Sequence, residues 1–276
     1  MFQTNVACRV EQYLAIVRSF SAKKKSIVRR MGFEALLDFD VNKLNRRFYG
    51  AQTVIVKPNQ VSWVLGVPMD GRVVPKDSKQ LNDAGKALVE RMKEKFSFNK
   101  EIPNQPVVDE LLRDDVSEED FKRAFLLFIL SNLLCPTQST GISPDLLPPA
   151  TVALACAHYA WAPFIYDWLC KCGRRFHKDM EKVAPPRCWR VCPCLMILYL
   201  DRKPLPVSVN FYRAPRILAW CDNAVEAAIE ADTVEWDTYG KALPVEGVFY
   251  GHPHPSEGFD MPWGSQLEFS GPPSVP

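Results

Sequence analysis

Ser117 to Leu134 (SEEDFKRAFLLFILSNLL) carries the strongest helix signal in the chain. Ser117 is placed to cap a helix by accepting the amide of Asp120. The three acids that follow complement the positive end of the helix dipole. From Phe121 to Leu134 the run is apolar on nearly every side, which predicts a buried central helix. Ala124 to Cys135 covers only about twelve residues where a membrane span needs roughly twenty, so the segment reads as core. Pro136 stops it, and a Pro, Gly and Ser loop leads to Pro149.

On the N-terminal side, Val10, Leu14, Val17 and Phe20 recur at helical spacing. Thr53-Val54-Ile55-Val56 is a β-branched run and predicts a short strand that Pro58 ends. Asn59 is then placed to cap a short helix through Leu65, stopped by Gly66 and Pro68. Lys76 to Phe96 is amphipathic and charged, as a surface helix would be. On the C-terminal side, Thr151 to Phe176 predicts a long helix bent around Pro163. Cys192 to Leu200 is a compact apolar segment. Residues 215–231 carry Ile217, Leu218, Trp220, Val225 and Ile229 and predict a last amphipathic helix. From Gly240 on the character changes: seven Pro and six Gly fall in residues 240–276, so an extended or disordered tail is expected there.

These readings give a mainly α chain, a single multi-helix domain with a minor short β element near residues 53–56. Residues 1–24 form an N-terminal helical extension, 25–240 the domain, and 241–276 a Pro/Gly-rich tail. The charge balance of 34 basic against 32 acidic residues does not demand nucleic acid or an acidic membrane as partner. Arg9, Glu11 and Arg18 interrupt any apolar signal region, so no secretory leader is expected. The nine cysteines are then expected to be reduced thiols of a nuclear or cytoplasmic protein.

Charge is less even locally. Residues 21–50 hold Lys23, Lys24, Lys25, Arg29, Arg30, Lys43, Arg46 and Arg47 against Glu34, Asp38 and Asp40. Lys23, Lys24, Lys25, Arg29, Arg30, Arg46 and Arg47 are the candidate phosphate contacts, with a nuclear import signal around the lysines as another use. The same pattern also fits a solvated helix face, since Ile27, Val28 and Phe33 indicate ordinary amphipathic packing.

Among metal candidates, Cys170, Cys188 and Cys192 stand out, with Cys172, Cys194 and His177 nearby. Zinc ligands usually come in pairs two to four residues apart. The C-x-C pairs here lie in expected helices, where side chains two apart point about 200° from each other. Buried apolar thiols are therefore the favoured reading, and no metal is expected. His252-Pro253-His254 lacks a third ligand. No phosphate-binding glycine loop is present, and no cofactor is implied. A general acid or base would have to come from residues such as His158, Asp167 or Asp201, assembled in three dimensions.

Several segments together resemble the plant mobile domain family, transposon-linked proteins often labelled aminotransferase-like. Ile27 to Arg47 (IVRRMGFEALLDFDVNKLNRR) resembles its opening segment, and Val61 to Pro68 (VSWVLGVP) its short helix ending in V-L-G-L-P. Phe121 to Pro144 (FKRAFLLFILSNLLCPTQSTGISP) is similar to its apolar helix followed by C-P-T and I-S-P. Tyr159 to Phe164 with Asp167-Trp168-Leu169, Cys194 to Asp201 (CLMILYLD), and Pro215-Arg216-Ile217 with Trp220 resemble later elements. Between Phe48 and Val61 the family has a longer passage with strands, so this chain is shortened there.

The resemblance implies a non-catalytic, mobile-element-derived nuclear domain that binds protein or nucleic acid, in a family with roles in meristem maintenance and transposon silencing. It implies no catalytic residues. The alternatives are an enzyme whose site assembles only in space, and a decayed copy with no function. No membrane partner is expected, and the oligomeric state is left open.

Overall fold

The central helix forms around Ser117 as its sequence dictates. A computed structural model describes residues 10–41, 53–54, 56–97, 105–135, 142–180, 192–201, 207, 209–210, 213–233 and 269–270, with the backbone alone for 53–54, 175–180 and 269–270. Helix α7 runs Glu118–Ile129. The Ser117 hydroxyl accepts the Asp120 amide at 3.2 Å and donates to the Asp120 carboxylate at 2.7 Å. Beyond Ile129 the helix widens into a π turn, Leu130–Leu134. There Ser131 and Asn132 donate back to the Phe128 carbonyl at 3.2 and 2.9 Å. Side chains that compete for a helical carbonyl in this way disturb the regular ladder.

Two N-terminal helices, α1 (Val10–Arg18) and α2 (Ala22–Arg30), precede α7, and ring contacts from α1 and from Phe20 between them reach it. Tyr13 stacks on Phe128 at 5.7 Å, and Phe20 meets Phe121 and Phe125 edge-on at 5.3 and 5.9 Å. Such pairs add about 0.5–1.5 kcal/mol beyond the area they bury. Val10, Tyr13, Leu14, Ile16 and Val17 of α1 are buried in the same apolar cluster as α7. The first helix is thus continuous with the central core. The Tyr13 hydroxyl donates to the Leu36 carbonyl, and burial pushes its phenol far above the ordinary tyrosine range.

The remaining helices are α3 (Glu34–Leu37), α4 (Pro58–Leu65), α5 (Asp83–Phe96), α6 (Gln105–Arg113), α8 (Leu147–Ala150), α9 (Trp161–Met180), α10 (Pro193–Leu200) and α11 (Asp222–Asp232). Helix α6 lies along α7, and α4 packs on α9 and α10. A 3₁₀ turn at Arg216–Leu218 closes against α3, α4 and α10. The described fold is mainly α. No described helix is long and apolar enough to cross a membrane.

Five sequence expectations are corrected. The strand expected over 53–56 is cut back: among the described residues Thr53 and Val54 pair antiparallel with Ser270 and Phe269, and Val56 lies outside that contact. Asn59 is not a cap but a buried residue inside α4, which begins at Pro58. Pro suits the first helical position because its missing N–H would be unpaired there anyway. The charged helix starts at Asp83 rather than Lys76, because the Asn82 side chain caps it by accepting the Gly85 amide at 2.9 Å.

The expected long helix from Thr151 is split into a 3₁₀ segment, Ala153–His158, and α9. The break falls at Tyr159 and Ala160, which pair with Arg72, and Pro163 sits harmlessly in the first turn of α9. The helix expected over 215–231 is likewise two pieces, the Arg216 turn and α11.

Candidate functional site

The segments with the most distinctive sequences meet one another inside the fold. Gly66 ends α4 in the left-handed conformation at φ +68°, its amide donating to the Ser62 carbonyl at 2.7 Å. A Cβ there would stand 2.4 Å from Cγ of Pro215 and 2.8 Å from Cβ of Ala35. The glycine is needed twice over, for its backbone and for its lack of a side chain. Gly32, at φ +85°, similarly lets the chain pass Pro68, whose Cγ would be 3.0 Å from an added Cβ. Next to it the Phe33 ring lies 5.7 Å from Trp161, whose indole N–H donates to the Cys156 carbonyl at 2.8 Å.

Pro215 leads directly into a buried ionic clamp. Asp201, just past the end of α10, accepts from Arg216 Nε at 3.0 Å and from Arg216 Nη2 at 2.8 Å. Trp220 Nε1 donates to the same carboxylate at 2.8 Å. The third guanidinium nitrogen, Nη1, donates to the Asn210 and Arg213 carbonyls at 2.6 and 3.0 Å. Both side chains are excluded from water, Arg216 at 1% and Asp201 at 5% exposure. A buried ion pair survives desolvation only with such two-point geometry and further hydrogen bonds around it. The clamp ties the end of α10 to the turn before α11.

A second polar cluster lies where α1, α6 and the π turn meet. Asp109 accepts from Gln105 Nε2 at 2.6 Å and also from Gln12 Nε2. Ser131 donates to the Gln105 side-chain oxygen at 3.3 Å, and Asn132 donates to Ser131 at 3.2 Å. Gln105, Asp109, Ser131 and Asn132 are all buried. The sequence reading passed over this cluster. Its signal was available: Gln105 and Asp109 lie one turn apart among the buried positions Val108 and Leu112, and Ser131 and Asn132 interrupt an apolar run.

Most of the described basic candidates are engaged locally. Lys24 points its ammonium at the C-terminus of α6, donating to the carbonyls of Leu112, Arg113 and Asp114 at 2.8, 3.1 and 2.9 Å. It also lies 5.7 Å from the Phe121 ring centroid. This is where a helix dipole favours a cation. Arg29 pairs with Glu34 at 3.1 Å, and Arg30 pairs with Glu118 at 2.9 Å and Ser26 at 3.1 Å. Hydrogen bonds from Lys122 and Arg30 hold Glu118 below its ordinary range. Burial raises the Asp120 carboxyl, but hydrogen bonds from Lys95 and Ser117 outweigh it and the net shift is downward. Lys23 is exposed and Lys25 half-buried. Arg46 and Arg47 lie outside the described residues.

The thiol candidates divide in the same way. Cys170 and Cys172 lie half-buried on α9, Cys192 is buried at the N-cap of α10, and Cys188 lies outside the described residues. Cys192 Sγ contacts the Leu134 carbonyl at 3.8 Å, beside buried Cys135. Burial pushes the Cys192 thiol up to about 12 and Cys135 and Cys194 well above their ordinary value. Zinc binds thiolates, and these environments favour the protonated form. Among the described residues, no three His, Cys, Asp or Glu side chains gather to hold a metal.

His158 is exposed, its backbone carbonyl accepting from the Arg72 amide at 2.8 Å. Asp167 is an exposed partner of Lys76. Asp201 belongs to the clamp. The pair His252 and His254 lies outside the described residues.

Against known proteins, a family model described as a domain of unknown function, DUF8566, matches residues 47–198, just over half of the chain. No curated protein and no solved structure matches. The matched span holds α4 to α9 and nearly all of α10, while the clamp partners Asp201, Arg216 and Trp220 lie beyond it.

Proposed function

The chain belongs to the DUF8566 family, and we propose that it works as a non-catalytic interaction module that binds protein through its helical surface. One observation carries this reading. The residues that make its segments distinctive face each other: Gly66 against Pro215, Phe33 against Trp161, and Asp201 against Arg216 and Trp220. A site for chemistry needs polar groups converging where a substrate can reach them. Here Asp201 and Arg216 are buried on each other, which suits a rigid scaffold.

A protein partner is favoured over nucleic acid because three of the five cations of α2 are countered in place. Lys24 caps α6, while Arg29 and Arg30 face Glu34 and Glu118. The resemblance to plant mobile domain proteins supports a mobile-element origin, a nuclear location, and a role in meristem maintenance or transposon silencing.

The test is a titration of fluorescently labelled DNA and RNA with the protein, from low to high salt, beside affinity capture from plant nuclei. No salt-steep nucleic-acid binding is expected, and a protein partner should still bind a K23E/K25E variant. Nucleic-acid affinity that falls roughly as the power of salt set by the phosphates contacted, and is lost in K23E/K25E, would overturn the protein-binding reading.

A further inference from the structure

We draw no further inference here: the strongest candidate, the surface seam where Val73 and Leu154 are exposed beside the Arg72–Tyr159 bridge, is an apolar edge, and nothing in the structure shows what covers it.

Discussion

Arg216 and the basic helix α2 use the same kind of side chain in opposite ways. Arg216 is a single arginine in an apolar neighbourhood, excluded from water and held by Asp201 and two backbone carbonyls. Arg29 and Arg30 sit in a conspicuous basic run, are about half exposed, and each meets one acid at the surface. Exposed pairs contribute about 0–1 kcal/mol, whereas removing one partner of a buried pair costs about 3–5 kcal/mol. The isolated arginine therefore matters more to this fold than the cluster that draws the eye.

Substitutions at the two kinds of arginine site separate their contributions. Arg216→Met has the largest expected effect, a loss of about 3–5 kcal/mol in chemical denaturation, because it strands the Asp201 carboxylate in the core. If stability changes by no more than a surface substitution would, the clamp is not structural. Gly66→Ala comes next, at about 2–4 kcal/mol, combining left-handed strain with overpacking against Pro215. An unchanged melting temperature would show that α4 and the Pro215 turn are not locked together.

Trp220→Phe keeps most of the packing and removes one donor from Asp201. A loss of about 1–3 kcal/mol is expected. Lys24→Met retains the apolar stem over Phe121 but removes the cation from the end of α6. About 1 kcal/mol is expected, with the increased amide exchange confined to the last turn of α6. Arg30→Ala should change stability least, by under about 1 kcal/mol.

Acid should affect the start of α7 in a defined direction. Glu118 and Asp120 have folded-state pKa values below their ordinary ones. Their contribution is therefore present above the unfolded carboxylate pKa and is lost as pH falls through the folded values. Amide exchange in the first turn of α7, followed on acidification, reads this directly.

How much of this was legible depended on whether the signal was local. The central helix was readable because its cap and apolar faces are consecutive in sequence. The π turn was not, since Ser131 and Asn132 break the ladder through hydrogen bonds that periodicity does not report. The end of the 3₁₀ segment at His158 was equally hidden. It depends on Arg72, far away in the chain, pairing with Tyr159 and so overriding local helix propensity. Pro163 drew attention away from that break, although a proline in a first turn disturbs nothing.

Among the candidate residues, the basic run was visible as composition, but its pairing with Glu118 and the end of α6 was not. Asp201 and Arg216 are too far apart in sequence for spacing to join them.

If Asp201 and Arg216 hold the scaffold together, a double-mutant cycle on the clamp shows it. Arg216→Met, Asp201→Leu and the double variant would be compared by denaturant unfolding. The prediction is that each single change costs several kcal/mol while the double variant recovers most of the loss, since a buried pair replaced by apolar residues is often nearly neutral. Additive losses, or single variants as stable as the parent, would contradict it.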